Sequence, residues 1–408
     1  MSGGDEFSGQ DNRLQDRLYL NDGHGHFSRD MQALPSMYEN GSCVVSADFN
    51  GDGNTDLFVG GRSVAWSYGE TPHSYLLEND GHGHFVDVTR RLAPGLKNIG
   101  MVTGAVWADI NNDHKPDLIV VGEWMPVSVF ENTEAGFKNI TAKDGLSKTN
   151  GWWNCIAAAD FDNDGSIDFV AGNLGTNSQL QVSQKEPVRL YLKDFDQNGT
   201  LDPIITHYVQ GISYPFARLD QLLTQIPELK IKFPNYSDYA HSTINDVFLK
   251  DQLDGAEIKE AYTFQSSYIH NNGNGTFTVK KLPFTAQISP VYSMLPIDYN
   301  GDGNKDLLLG GNFYAVGTEQ GRYDASYGTV LAGDGHGNFR KVSLDRGGFL
   351  VGGQVRDMKS IADVHYGPLV IVARNNDSLA VFQSIHPDPQ SDNLTIDNQT
   401  MENTHGSH

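Results

Sequence analysis

The sequence predicts an all-β protein, a β-propeller of four-stranded blades, with seven blades preferred over six and one short helical insertion. Three observations lead there. An acidic nine-residue pattern recurs five times, each time running into a short apolar stretch. A strand–turn–strand element that reopens on Phe recurs between these copies. Helical periodicity is confined to a single segment.

The acidic pattern reads DFNGDGNTD, DINNDHKPD, DFDNDGSID, DFDQNGTLD and DYNGDGNKD. Asp stands at positions 1 and 9, and Asp or Asn at 3 and 5. Oxygen donors at alternating positions of a tight loop suit a hard cation with six to eight oxygen ligands, which points to Ca²⁺. The candidate ligands are Asp48, Asn50, Asp52, Asn54 and Asp56 in the first loop, and Asp109, Asn111, Asp113, Lys115 and Asp117 in the second. The third offers Asp160, Asp162, Asp164, Ser166 and Asp168, and the fourth Asp194, Asp196, Asn198, Thr200 and Asp202. The fifth offers Asp298, Asn300, Asp302, Asn304 and Asp306. Up to five Ca²⁺ are expected. Gly at position 6 permits the sharp turn in four copies; the second has His114 there. An EF-hand would place Glu at position 12 and flank the loop with helices. Here position 12 is Val59 or Ala171, inside runs that read as strands, so the unit is strand–loop–strand.

The second element appears as LYLNDGHGHF, LLENDGHGHF, IHNNGNGTF and LAGDGHGNF, the signature of a β-hairpin. The His-Gly-His spacing at His24/His26 and His82/His84 reads as solvated turn residues, because other copies carry Asn or Thr there. The two elements together give four-stranded units at about 43–88, 102–141, 153–187 (short), 188–282, 291–342 and 354–382. Residues 1–30 supply the end of a further unit. The propeller is expected over 1–385. The helical segment at about 216–262 has Leu219, Leu222, Leu223 and Ile226 on one face, and is expected between the second and third strands of the fourth unit. Residues 386–408 are polar and aperiodic and read as a disordered tail.

The formal charge is −22, from 51 acidic and 29 basic residues. Such a surface is a poor partner for nucleic acid. Five Ca²⁺ would offset ten of those charges. The two cysteines, Cys43 and Cys155, each lie five residues before their loop, so they occupy equivalent strands and read as buried thiols. No apolar run is long enough to cross a membrane as a helix. The opening residues read as the end of a strand, so a piece of a longer polypeptide is expected.

These loops and the NDGxGxF hairpins resemble the FG-GAP/VCBS repeat family, the repeats of integrin α-subunit propellers. More narrowly, GGR, VVGEWMP, NGWWN and AGNLGTNS look like the C-terminal propeller of large Bacteroidetes VCBS-repeat surface proteins. The resemblance implies a Ca²⁺-stabilised propeller at the bacterial cell surface, outer-membrane-associated. The expected function is non-catalytic binding of glycan or a protein partner. A polysaccharide lyase or hydrolase, and a scaffold subunit of an outer-membrane assembly, are the alternatives.

If the loops share one face, the connections of the other face collect Arg62, Glu123, Trp124, Trp152, Trp153, Asn173, Tyr208 and Asn312 as candidate ligand-binding residues. Aromatic rings beside carboxylate and amide groups suit carbohydrate. No catalytic residue is expected: no serine-nucleophile elbow, zinc signature or phosphate loop is present.

Overall fold

The computed structural model describes residues 7–143, 145–317 and 320–383. The tail expected at 386–408 lies outside the described residues. The chain is all-β, built from antiparallel sheets of which most have four strands.

In the first sheet Asn40–Ala47, Asp56–Ser63, Tyr75–Asn79 and Phe85–Asp87 pair in chain order. The second sheet repeats that order with Met101–Ala108, Asp117–Met125, Ser128–Thr133 and Gly136–Asn139, and adds Gly151–Trp152 beside Asp117–Met125. The fifth sheet does so with Val291–Ile297, Asp306–Gly311, Thr329–Gly333 and Phe339–Lys341. The sixth has three strands, Val355–Asp363, Gly367–Arg374 and Ala380–Gln383. At the start, Leu18–Asn21 and Phe27–Asp30 form a two-stranded hairpin.

The third and fourth units correct the sequence reading. Cys155–Ala159 and Asp168–Gly172 do not form a short unit ending near 187. They pair onward with Ser267–Asn271 and Phe277–Lys281, nearly a hundred residues later. The IHNNGNGTF hairpin therefore completes the third sheet. The fourth sheet is inserted within the third, in the order Ile212–Pro215, Asp202–Val209, Val188–Lys193, Glu257–Ala261. Adjacency in sequence suggested otherwise, because the hairpin follows the fourth loop more closely than the third.

The helical segment is present as five short helices between Leu219 and Leu253. They lie between Ile212–Pro215 and Glu257–Ala261, one strand later than expected. Leu219, Leu222 and Ile226 are buried and Leu223 packs against the same cluster, with Tyr191, Phe195 and Ile204 of the sheet. That apolar stripe gives helices too short to persist alone their reason to form.

In the first, second, third and fifth sheets the second strand is mostly buried, throughout in Asp306–Gly311 and Asp168–Gly172, while the fourth is largely exposed. Central strands covered on both faces read as continuous apolar runs. The chain packs as two compact units. One holds the described residues up to Trp153 with Leu180–Phe264, thus the first, second and fourth sheets. In it Phe58 and Leu76 of the first sheet meet Val102, Leu118, Val120 and Phe130 of the second. The other holds Asn154–Gln179 and the described residues from Gln265 onward. There Val170 and Tyr268 of the third sheet meet Met294, Leu307 and Leu331 of the fifth. The fifth packs in turn on Val355, Met358 and Val372 of the sixth.

A repeated glycine sets this sheet-to-sheet distance. A Cβ on Gly60 would lie 2.6 Å from Val102 Cγ1 and 2.7 Å from Cys43 Sγ, and one on Gly310 would lie 2.5 Å from Val355 Cγ1. At Gly172 the neighbours are Val291 O at 2.5 Å and Cys155 Sγ at 2.7 Å. The first strand of one sheet seats its valine where the preceding sheet has no side chain. Both cysteines are free thiols, and burial pushes them up, Cys43 to about 11 and Cys155 to about 12.

Candidate metal centre

All five acidic loops join the first and second strands of a sheet and share one backbone course. Position 4 is left-handed in every copy: Gly51, Asn112, Asn163, Gln197 and Gly301. So is position 6, where Gly53, Gly165, Gly199 and Gly303 have φ between 87° and 90° and His114 has φ of 65°. His114 therefore takes up the glycine conformation and keeps the loop's shape, at a steric cost a glycine would not carry. Its N–H donates to Asp109 Oδ2 at 2.8 Å, as Gly53 N–H does to Asp48 Oδ2 at 2.9 Å.

The side chains at positions 1, 3 and 5 curl the loop around their own oxygens. Asp48 Oδ1 accepts from Gly51 and Asp52 N–H, Asn50 Oδ1 from Asp52 N–H, and Asp52 Oδ1 from Asn54 N–H, all within 3.1 Å. The fifth loop repeats this with Asp298, Asn300 and Asp302. Carboxylates converge most closely in the third loop, at Asp160, Asp162 and Asp164, and in the fourth, at Asp194, Asp196 and Asp202. In each set one oxygen from every residue lies within 4.8 Å of the others. Hard, negative, clustered oxygens are the donor set Ca²⁺ takes, and these residues fit it.

Position 9 has a second task. Asp56, Asp117, Asp168, Asp202 and Asp306 are all buried. Each accepts the N–H of position 2, from Phe49, Ile110, Phe161, Phe195 and Tyr299. In four sheets the second oxygen accepts an N–H from the third strand: Asn79, Asn132, Asn271 or Gly333, at 2.6–2.8 Å. The carboxylate thus latches the loop to the hairpin beyond it. Burial raises all five above the usual carboxylate range, Asp117 to about 6, and in each the loop's other carboxylates push in the same direction. Anions held this way gain from a counter-cation.

Sequence reasoning missed position 2. Phe49 packs against Trp107 and Phe137 of the second sheet, Phe161 against Tyr268 and Phe339, and Phe195 stacks on Phe248 of the helical segment at 4.2 Å. An apolar residue stands there in all five copies, which was the available signal. The turn histidines behave as expected: His26 and His84 are exposed and face Asp22 and Asp80.

The candidate ligand-binding residues divide. Three are structural in this fold. Trp153 is fully buried and its indole N–H donates to Thr149 O at 2.9 Å. Asn312 is buried, donating to Ser326 O and Gly353 O and accepting from Ser289 Oγ. Asn173 is fully buried, its Oδ1 accepting from Leu174 N–H. Buried amides tie loops together and have no surface to offer a ligand. Tyr208 OH accepts from Arg189 at 3.1 Å. Those remaining converge at the ends of the second strands of the first two sheets. Arg62 pairs with Glu123 at 2.5 Å, Tyr68 OH donates to Glu123 at 2.9 Å, and Trp124 Nε1–H donates to Tyr68 OH at 3.0 Å. Trp124 is itself buried and meets Trp152 edge-on at 5.1 Å, so it backs the group without facing solvent. Trp66, one turn away, is 71% exposed.

Comparison with known proteins adds the following. An FG-GAP-like repeat family model matches residues 5–59 and 109–171, which contain the first three acidic loops. No curated protein matches. Among solved structures, the V. cholerae biofilm matrix protein Bap1 aligns at 9% identity, covering 91% of this chain and 73% of that one, with a TM-score of 0.35. BBS1N, solved in complex with ARL6DN, aligns at 10% identity, covering 93% and 90%, with a TM-score of 0.31. At these scores neither likeness carries weight here.

Proposed function

We propose that this chain, which carries FG-GAP-like repeats, is a non-catalytic, calcium-stabilised β-propeller of the bacterial cell surface that binds glycan or a protein partner. The observation that supports it is the recurrence of one loop in five sheets, with the same left-handed positions and the same buried latch. A cation gathered by positions 1, 3 and 5 ties each first strand to its second, so binding free energy becomes folding free energy. In this reading Asp48, Asn50 and Asp52 and their counterparts hold the ion, and the ion's chemistry is structural.

Ligand binding is assigned to the strand ends remote from the loops. Of the candidates, Arg62, Glu123, Trp124 and Trp152 form one connected group through Tyr68, with Trp66 exposed beside it. An aromatic face next to charged hydrogen-bonding groups fits the apolar and hydroxyl faces of a sugar. Glu123 already accepts from both Arg62 and Tyr68, which suits a positioned polar group better than a free base.

A glycan array and a pull-down with cell-surface protein, run on wild type and on Trp66→Ala, test this. Retention of a glycan or protein class by wild type, weakened in the variant, is the expected result. Unsaturated product from an acidic polysaccharide would overturn the non-catalytic part. Undiminished binding by Trp66→Ala and Tyr68→Phe would move the ligand elsewhere.

A further inference from the structure

In the first and third sheets a third-strand side chain reaches the acidic loop, and its chemistry differs between the two. The register fixes the comparison. Glu78, Glu131, His270 and Ala332 each precede the residue whose N–H meets the position-9 carboxylate. The following residue pairs across the hairpin with Phe85, Phe137, Phe277 or Phe339. Glu78 reaches the position-3 residue of its loop, accepting from Asn50 Nδ2 at 3.3 Å. His270 does the same in the third loop: its Nδ1 lies 3.1 Å from Asp162 Oδ2 and 3.2 Å from Asp168 Oδ1. Asp162, Asp168 and His270 form a set with donor atoms within 4.8 Å, sharing Asp162 with the set of Asp160 and Asp164.

A second observation sets this loop apart. In the other four loops the Oδ1 of position 1 accepts a backbone N–H. Asp160 Oδ1 is sealed from solvent and has no hydrogen-bond partner among the described residues. The loop that a third-strand imidazole reaches is thus also the one with a buried carboxylate oxygen left open.

We infer that the third loop takes a borderline transition-metal ion, of the Zn²⁺ or Co²⁺ class, through His270, Asp162 and Asp168, next to the open Asp160 oxygen, while the other four loops take Ca²⁺. Imidazole suits such ions, whereas Ca²⁺ is served by oxygen. Ligand bonds of roughly 2.0–2.1 Å place neighbouring donors about 3.0–3.4 Å apart, and the two separations from His270 to its carboxylates fall in that range. Tyr268 OH donates to Asp168 Oδ2 at 2.7 Å and orients the carboxylate from behind.

This inference rests on the metal-loop reading above, and the experiment separates the two. The full chain, saturated with Ca²⁺, is titrated with Co²⁺ while the visible ligand-field bands are followed, and Ca²⁺ content is measured in parallel. One Co²⁺ per chain with nitrogen-type bands, not displaced by excess Ca²⁺, is expected. His270→Ala loses those bands and keeps its Ca²⁺. His270→Gln, similar in length and still polar, gives the same loss with less risk to folding. Identical Co²⁺ spectra in wild type and both variants, or no Co²⁺ bound at all, overturns the inference, as does ready displacement by Ca²⁺. Absence of bound Ca²⁺ in every protein would instead fell the metal-loop reading itself.

Discussion

Asp306 and Asp302 sit four residues apart in the fifth loop, yet the structure gives them separate tasks. Asp306 is fully buried and accepts Tyr299 N–H at 3.0 Å and Gly333 N–H at 2.8 Å. Asp306→Asn turns one acceptor oxygen into an NH₂ facing an N–H. One bond is lost and a buried donor is left unsatisfied, which costs about 1–3 kcal/mol. That cost does not depend on metal, so it appears equally in EDTA. Asp302 is exposed, and its Oδ1 accepts from Asn304 N–H at 2.8 Å. An amide oxygen can replace that bond, so Asp302→Asn in EDTA costs within about 0.5 kcal/mol. In Ca²⁺ the same change removes a ligand charge, and each tenfold loss of affinity removes about 1.4 kcal/mol of linked stability. Melting curves of wild type and both variants, with Ca²⁺ and with EDTA, give the comparison. The expected result is an Asp306→Asn deficit in both conditions and an Asp302→Asn deficit in Ca²⁺ alone. Equal deficits of the two variants in EDTA would refute the division of labour.

Five further outcomes follow from the same structure. Gly310→Ala drives a methyl to within 2.5 Å of Val355 Cγ1 and is expected to destabilise by about 1–3 kcal/mol, read as a lower melting temperature. His114→Gly relieves a left-handed non-glycine residue and is expected to stabilise by about 1 kcal/mol in the same assay. Phe195→Ala removes the ring stacked on Phe248 and costs about 3–5 kcal/mol, seen as faster proteolytic cleavage within 219–253. Cys43 and Cys155, held to about 11 and about 12, stay protonated at pH 8, so native protein labels with a thiol reagent far more slowly than unfolded protein. Because the folded thiols keep their protons where the unfolded ones lose them, the chain loses stability as pH rises above 9 toward 11.

Much of this was legible in sequence for a simple reason. The loops and hairpins are local, each specified within about ten residues, and repetition turned a weak motif into a strong one. The stripe of Leu219, Leu222 and Ile226 was local too, and its helices and buried face followed. What sequence order hid was pairing at a distance. Asp168–Gly172 bonds to Ser267–Asn271, and a complete sheet lies between them, so neighbouring motifs were grouped into the wrong sheet. Burial was the other gap. Trp66 and Trp153 both fall in connections, yet one is 71% exposed and the other fully buried. The position-2 residues carry no oxygen donor and so no metal signal, although Phe49, Phe161 and Phe195 are buried and anchor their loops alongside the carboxylates.

Bound metal, measured on the purified chain alongside its thermal stability, tests the central claim most directly. Elemental analysis after dialysis against trace Ca²⁺, paired with melts in Ca²⁺ and in EDTA, is the measurement. Several divalent ions per chain, and a melting temperature that falls sharply on chelation and returns on adding Ca²⁺ back, are predicted. A metal-free protein whose two melting curves superimpose would contradict it.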